Sequence, residues 1–294
     1  MVKPSLGDRL FDLVNHLLLL LVLLVVLYPL VFVASASVSN PEAVLNGEVW
    51  LWPKELSFTG YEKVFANGDI VRGYGNTILY TAVGTLVNVT LTIMAAYPLS
   101  RKDLYGRHAI TALFVFTMFF SGGLIPTYLL VKNLGMVNTM WALIIPNAVA
   151  IWNIIIMRTF FQQSIPLEVQ ESAQMDGCGN LQILWRIVLP LSLPILAVMV
   201  LFYSVAHWNA YFQALIYLTD RSKYPLQLIL REILIQSNMR EMLQTNEESL
   251  AKSIMEAESI KYAVVIIANL PVLLLYPFLQ RYFVKGMVIG AVKG

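Results

Sequence analysis

Residues 164–190 form a polar, partly acidic segment between two apolar stretches, and their order predicts a helix, a turn and a second short helix. Ser164 is placed to cap the first helix, with Pro166 in its first turn and Glu168 near the positive end of its dipole. We expect this helix to end at Gly177, because glycine readily adopts the left-handed conformation of a helix-ending turn. The segment is therefore predicted to be a structured element rather than a plain loop.

The polar face of that first helix carries Glu168, Glu171 and Asp176. Two interpretations are open: an amphipathic helix lying on lipid headgroups, or a helix that docks on a protein partner. A helix lying on anionic lipid should carry Lys and Arg on its polar face. The acidic residues therefore favour docking on a partner.

Polar and aromatic side chains also lie inside the apolar stretches, where contact with lipid would be costly. Such residues are therefore candidates for lining a permeation route through the membrane. They are Asn147, Asn153, Trp208, Asn209, Tyr211 and Phe212. Hydrogen bonding between packed helices is the alternative interpretation for each of them. Arg158, near the inner end of its stretch, is expected to extend its guanidinium to the membrane surface.

The sequence lacks the patterns of a nucleotide site and of a metal centre. Nothing matches G-x-x-x-x-G-K-[ST] or H-E-x-x-H, and the three histidines are isolated from one another. A net charge of +2, from 20 Lys and Arg against 18 Asp and Glu, is too balanced for a nucleic-acid-binding surface. We expect no catalytic residue, no metal and no nucleic-acid partner on this chain.

Composition places these residues in a membrane. Hydrophobic residues make up 58% of the 294 and charged residues 13%, whereas a soluble domain has about 45–50% and about 25%. The apolar stretches are continuous rather than alternating, and an isolated chain segment can cross lipid only with its backbone hydrogen bonds satisfied internally. The sequence therefore predicts an all-α integral membrane protein with six transmembrane helices.

The six spans are predicted at residues 11–37, 76–99, 109–131, 139–161, 191–218 and 262–283. The other parts are an N-terminal tail at 1–10, external connections at 38–75 and 219–261, the segment 164–190, and a C-terminal tail at 284–294. The short connections on the side that holds both termini carry most of the Lys and Arg, whereas both long connections on the other side are acidic in balance. Both termini are therefore expected to be cytoplasmic.

The order Glu171-Ser172-Ala173, then Gly177, then Ile187 to Pro190 resembles the EAA signature of binding-protein-dependent ABC importer permeases. The triplet departs from that signature only in Ser172, a small residue in place of a small residue. The ending of the predicted second span, Ala96 to Arg101, is similar to permeases of the carbohydrate (maltose and oligosaccharide) type. Within that group the chain is similar to permeases for alginate and other polysaccharides or oligosaccharides, including uronic-acid polymers.

The resemblance implies a type I ABC importer permease fold with a cytoplasmic coupling helix, in the bacterial cytoplasmic (inner) membrane. The implied partners are a second, different permease, a cytoplasmic ABC ATPase dimer that holds ATP and Mg²⁺, and an extracytoplasmic sugar-binding protein. No cofactor is implied on this chain. The residues carried over to the ATPase joint are Glu171, Ser172, Ala173, Asp176, Gly177, Ile187, Leu189 and Pro190, with Gly286, Gly290 and Gly294 as a further interface in the tail.

Glu171 is then expected to meet a basic or polar group of the ATPase, Ala173 and Gly177 to permit close approach, and Pro190 to start the fifth span. The alternatives are an ion-coupled secondary transporter, a membrane-embedded enzyme and a non-transporting scaffold. The first would need Asp, Glu or Lys near the middle of a span, and no predicted span has an Asp or Glu there. The second would need clustered nucleophiles, bases or metal ligands, and none appears.

Overall fold

The computed structural model describes residues 5–243 and 260–274, with Pro277 and Gln280, and every regular element within them is a helix. The first six helices are α1 (Leu6–Ser37), α2 (Pro41–Leu45), α3 (Thr59–Ala66), α4 (Gly68–Ser100), α5 (Arg107–Phe119) and α6 (Leu124–Asn133). They are followed by α7 (Trp141–Ile144), α8 (Ile151–Ser164), α9 (Leu167–Met175), α10 (Asn180–Ile183), α11 (Leu189–Leu191) and α12 (Leu193–Trp208). The remaining helices are α13 (Phe212–Tyr217), α14 (Leu226–Leu243) and α15 (Ile260–Leu274). The all-helical prediction is confirmed for these residues.

Two described helices are each long and apolar enough to cross a membrane, Gly7–Ser37 and Gly68–Ser100. The first begins with a capping box in which Ser5 Oγ accepts from the Asp8 amide and the Asp8 carboxylate accepts from the Ser5 amide. Large side chains along most of α1 are exposed on all sides of the helix. A helix that is apolar all round without burial in its own chain suits a lipid environment.

Three further predicted spans are broken helices, and the sequence indicated an interruption only in the fourth, at Pro146. Residues 109–131 contain α5 and α6, bent by 111° at a break that includes Gly123, whose φ is +86°. Residues 139–161 contain a helix to Asn147 and then α8, bent by 56°. Residues 191–218 contain α12 and α13, separated at Asn209–Tyr211. The breaks contain polar or turn-forming residues, Ser121-Gly122-Gly123, Pro146-Asn147 and Asn209, within otherwise apolar stretches.

The chain forms two compact units. One contains the described parts of Met1–Ile70 and Leu230–Leu270. Within it the predicted connection 38–75 is not featureless, since it holds α2 and α3 and is tied to the end of α1. Ser35 Oγ donates to the Leu51 carbonyl at 2.6 Å, and Tyr61 Oη donates to Ser37 Oγ at 2.9 Å.

The other unit contains the described parts of Val71–Ile229 and Pro271–Gly294. Its largest core cluster joins the C-terminal end of α4 to α8, α9, α10 and α12. The buried members include Tyr97, Phe161, Ala173, Ile183 and Met199. Where such helices pass through lipid, van der Waals packing rather than water exclusion holds them together. This cluster brings the segment 164–190 against the C-terminal end of α4.

Candidate docking segment and transport pathway

The first helix of the segment is α9, and its beginning differs from the prediction. Ser164 is the last residue of α8, and α9 starts at Leu167 after Pro166, without a side-chain cap. The capping role predicted for Ser164 is therefore wrong. Ser164 cannot cap α9 because Ile165, the residue before Pro166, is kept out of the helical region. Ile165 is therefore extended and separates the two helices. Glu168 does lie in the first turn, as predicted.

The end of α9 follows the prediction closely. Gly177 has φ +82°, its amide donates to the Gln174 carbonyl, and the Cys178 amide donates to the Ala173 carbonyl at 2.9 Å. These two bonds are the Schellman arrangement that satisfies the last carbonyls of a helix. A Cβ built on Gly177 would have nothing within 4 Å. Within this chain, the glycine is required by the turn and not by crowding.

The residues predicted for the ATPase joint separate into an outer and an inner set. Glu171, Ser172, Asp176 and Gly177 are exposed. Ala173 is only 7% exposed and belongs to the core cluster of its own chain. The expectation that Ala173 permits close approach of a partner is corrected: its small side chain permits α9 to pack against its own chain.

The second half of the segment leads into the long helix α12 through a sharp bend. Ile187 and Leu189 are half-buried against the core cluster, and Pro190 is exposed within the short helix α11. The helical stretch Asn180–Leu191 then meets α12 at 83°, with Ser192 buried between them. Pro190 therefore does not start the long helix, which begins three residues later at Leu193.

Two polar contacts that the sequence did not indicate join this segment to the end of α4. Arg101 Nη1 donates to Gln170 Oε1 on α9 at 3.2 Å, and Tyr97 Oη donates to the Asn180 carbonyl at 3.2 Å. Arg101 also forms a bidentate ion pair with Asp103, at 2.9 and 2.8 Å. That hydrogen-bonded pair lowers the pKa of Asp103 and raises the pKa of Arg101. The one available signal was the similarity of the Ala96–Arg101 stretch to carbohydrate permeases.

A cleft of about 700 Å³ lies beside these contacts. One wall is the connection from α4 to α5, and the other is formed by the end of α8 and by α9. Its lining includes Arg107, Gln162, Gln170, Glu171 and Gln174. The exposed acidic residue Glu171 therefore lies at the edge of a concave polar surface and not on a flat one.

The candidate pathway residues are not gathered into one polar surface. Asn153 and Trp208 are buried, and Trp208 packs edge-to-face on Tyr74 with ring centroids 5.6 Å apart. Asn147 is exposed at the break before α8. Asn209, Tyr211 and Phe212 are exposed at the break after α12, where the Asn209 amide donates to the Val205 carbonyl of its own helix.

Trp208 also lines a cavity of about 510 Å³ between α4, α12 and the Pro271–Val272 turn of α15. Most of its lining is aliphatic. The hydroxyl groups of Thr81 and Thr85 lie on its α4 wall, and each is a buried oxygen without a hydrogen-bond partner in the described structure. The cavity is thus mainly apolar, and a few hydroxyl groups lie on its walls.

A polar network, whose pairing the sequence did not reveal, lies between α4 and α12. Asn88 and the His207 ring are hydrogen-bonded at 3.2 Å, and Thr92 and Tyr203 share a hydrogen bond at 2.7 Å. His207 packs directly against the backbone at Gly84, where any Cβ would collide with its ring. The sequence shows these polar residues inside the second and fifth predicted spans, but it does not show which residue of one span bonds to which residue of the other.

Some predictions cannot be followed in the structure. Gly286, Gly290 and Gly294, with the tail 284–294, lie outside the described residues, as do parts of 219–261 and 262–283. Among the residues that are described, no three His, Cys, Asp or Glu side chains are grouped to hold a metal ion. The absence of a metal and of a cofactor on this chain stays a prediction.

The comparison with protein families decides what kind of protein carries this segment. The family described as binding-protein-dependent transport system inner membrane component matches residues 1–289. The chain belongs to this family. It is therefore an integral membrane permease, a non-catalytic component of a transport system.

Similar proteins of this permease family come from Bacillus subtilis (strain 168). The protein LplC is 42% identical over 288 residues, covering 98% of this chain and 96% of the relative. The polygalacturonan/rhamnogalacturonan transport system permease protein YtcP is 43% identical over 287 residues, covering 98% and 99%. The all-helical permease fold is also that of a chain in the crystal structure of a bacterial ABC transporter involved in the import of the acidic polysaccharide alginate. That chain has a TM-score of 0.85 and 34% identity, with 96% of this chain and 100% of the other covered.

Proposed function

We propose that this chain is one of two permease subunits of an ATP-driven, binding-protein-dependent ABC importer for acidic oligosaccharides or polysaccharides. The observation that carries the proposal is the full-length similarity to a permease named for polygalacturonan and rhamnogalacturonan and to a transporter for alginate. Polygalacturonan and alginate are both polymers of uronic acids, so the shared chemistry is a chain of sugars that bear carboxylates. A secondary transporter, an enzyme and a non-transporting scaffold all fit family membership poorly.

The membrane arrangement that we propose has six spans with both termini in the bacterial cytoplasm. It is supported by the two long apolar helices, by the broken helical pairs and by α15, which is apolar but shorter. The excess of Lys and Arg in the short connections supports the orientation. In this arrangement the segment 164–190 lies in the cytoplasm as the coupling segment.

The ATPase that hydrolyses ATP with Mg²⁺ docks on this coupling segment. Glu171, Ser172 and Asp176 are exposed on α9 and offer the carboxylates and hydroxyl that a basic or polar cleft recognises. Gly177 leaves open space at the end of the helix, where a partner surface can approach the backbone. Ile187, Leu189 and Pro190 form the link from the docking helix to α12. The tail glycines 286, 290 and 294 are a second proposed contact with the ATPase.

Transport then follows from alternating access. Closure of the ATPase dimer around ATP displaces the coupling segment, and the spans attached to it reorient the pathway between the two sides of the membrane. Trp208, Asn209, Tyr211 and Phe212 supply rings and an amide for a sugar near the outer end of α12, while Asn147 and Asn153 are placed along the fourth span. A different second permease and an extracytoplasmic sugar-binding protein complete the system.

The proposal is tested with the complete complex, purified through this chain and reconstituted in lipid vesicles. The assay measures uptake of two acidic sugars, trigalacturonate and an alginate trisaccharide, and of maltotriose as a neutral control. Each uptake is measured in the presence and in the absence of ATP. We expect ATP-dependent uptake of the acidic sugars when the binding protein is supplied. Uptake of maltotriose alone would overturn the substrate class, and uptake independent of ATP would overturn the importer.

Docking is tested in the same preparation by charge reversal at one exposed residue. Glu171→Lys should lower the amount of ATPase that copurifies with this chain, because it places a cation where an acidic group is proposed to meet a basic one. Glu42→Lys, the same reversal on exposed α2, is the matched control and should leave ATPase retention unchanged. Normal retention and normal uptake in Glu171→Lys would count against the docking role.

A further inference from the structure

Arg101 is the first residue after α4, and its side chain reaches the proposed docking helix. Its Nη1 donates to Gln170 Oε1, one residue before the exposed Glu171, at 3.2 Å. Its side chain is only 10% exposed, although it carries a full charge at the inner surface of the membrane. A guanidinium covered to this extent needs several partners to offset its desolvation.

Those partners hold the Arg101 side chain in a single orientation. Asp103 accepts from Nε and Nη2 at 2.9 and 2.8 Å, so the plane of the guanidinium is fixed by a bidentate contact. This leaves Nη1 directed at α9. The ion pair also raises the pKa of Arg101 and lowers the pKa of Asp103, which keeps both groups charged at neutral pH.

The backbone around Arg101 is held in the same way. Arg107 at the start of α5 donates to the Arg101 carbonyl at 3.3 Å. Arg158 and Gln162 on α8 donate to the carbonyls of Leu99 and Ser100, at 3.0 and 3.3 Å. Three neighbouring carbonyls at the end of α4 are thus bonded to side chains of α5 and α8, so this end is not free to move independently of them.

The contact of α9 with the core cluster is made by a small side chain. Among the residues of α9, Ala173 is the buried member of that cluster. A hydrogen bond from the planar Arg101 guanidinium to the Gln170 side-chain amide is directional, and it opposes a sideways displacement of α9 relative to α4. The contact between Arg101 and Gln170 therefore adds a directional link between α9 and the membrane helix α4.

We infer that Arg101 is a positioning residue for transport: it passes the displacement of the docking helix to the second span through Gln170. This inference rests on the proposed function, since it requires that an ATPase moves α9. It predicts that loss of the contact uncouples the system. ATP hydrolysis continues, but fewer sugar molecules enter for each ATP that is hydrolysed.

The test uses the reconstituted complex with trigalacturonate as the probe, and it records ATPase retention, ATP hydrolysis and uptake in each variant. Arg101→Gln and Gln170→Leu should both keep the ATPase bound and hydrolysing, and lower uptake per ATP by about tenfold, the middle of the range for coupling between sites. Lys102→Gln, the same loss of charge at the exposed neighbouring residue, is the control and should match the unaltered protein. Gln170→Glu, which offers Arg101 a carboxylate, should retain coupling.

The double variant Arg101→Gln with Gln170→Leu separates a specific link from general damage. If the two residues act through one contact, the double variant should be no worse than either single variant, whereas independent damage would multiply the losses. The inference is overturned if the single variants keep normal uptake per ATP, or if their losses multiply. Failure of the unaltered complex to import with ATP would instead contradict the proposed function.

Discussion

The hydroxyl of Tyr203 lies 3.3 Å from the backbone nitrogen of Ala150 and accepts its hydrogen bond. Ala150 is in the break before α8, where the first amides of a helix have no partner within the helix. Tyr203, on α12, is 4% exposed and is also hydrogen-bonded to Thr92 of α4. The Tyr203 hydroxyl therefore satisfies a backbone amide at the break in the fourth predicted span, and it links that break to α12 and α4.

Tyr203→Phe should destabilise the protein by about 1 kcal/mol, because it removes the hydrogen-bond acceptor of a partly buried amide while preserving the ring packing. Thermal unfolding of the purified chain in detergent measures this change. Tyr105→Phe removes the same hydroxyl from a side chain that is 98% exposed and should have no effect. Equal melting temperatures for the two variants would contradict the role assigned to Tyr203.

Two glycines of α4 should respond in opposite directions to the same substitution. Gly84→Ala would place Cβ about 2.6 Å from Cε1 of His207, so the ring must move and the contact with Asn88 is disturbed. We expect a loss of about 1–3 kcal/mol, as for overpacked cores. Gly75→Ala meets no atom within 4 Å and should gain up to about 1 kcal/mol from helix propensity. Thermal unfolding compares the pair, and an equal response would refute the proposed close approach of His207 to α4.

Gly177→Ala should cost about 1 kcal/mol, because alanine at φ +82° pays the penalty of the left-handed region although space is available. Gly179 has φ −72° and precedes α10, so Gly179→Ser should be neutral or slightly stabilising as a helix cap. Hydrogen exchange of the Cys178 amide, which is bonded to the Ala173 carbonyl, reports the local effect. Faster exchange is expected only in Gly177→Ala.

The ion pair of Arg101 and Asp103 should contribute to stability at neutral pH and not in acid. Because Arg101 lowers the folded-state pKa of Asp103 below its ordinary 3.8, the contribution is present above that value and is lost as the pH falls through the lowered pKa. Asp103 is 62% exposed, so the size is at most about 1 kcal/mol. Asp103→Asn should therefore melt lower than the unaltered protein near pH 7, and the difference should shrink as the pH falls below 3.8 and through the lowered pKa of Asp103. A difference that persists in acid would contradict the ionic origin.

The turn at Gly177 could be predicted because only a few residue types adopt a positive φ readily, so the position of a glycine after a helical pattern is informative. The cap at Ser164 could not, since Pro166 also terminates the preceding helix and no local pattern separates the two effects. Ala173 looked like part of an exposed surface. Its burial depends on α4 and α8, which are distant in sequence.

The breaks of the third and fifth predicted spans were missed for a different reason, whereas the sequence did indicate the interruption of the fourth at Pro146. The groups that satisfy an interrupted backbone come from other helices, as Tyr203 does for Ala150. Arg158 shows the same effect. Its Nε donates to the Leu99 carbonyl at 3.0 Å, at the end of the predicted second span, and that partner could not be read from the sequence. Partners of this kind depend on the three-dimensional packing and leave no local signature.

The 83° angle at Ser192 has a geometric consequence for any force applied to the segment 164–190. When two rods meet nearly at a right angle, a push along the first moves the end of the second sideways and hardly shifts it along its own length. Lengthwise travel of the stretch Asn180–Leu191 would thus tilt α12 rather than drive it through the bilayer. A tilting helix opens one end of a passage while it narrows the other, and it does so without exposing new polar backbone to lipid.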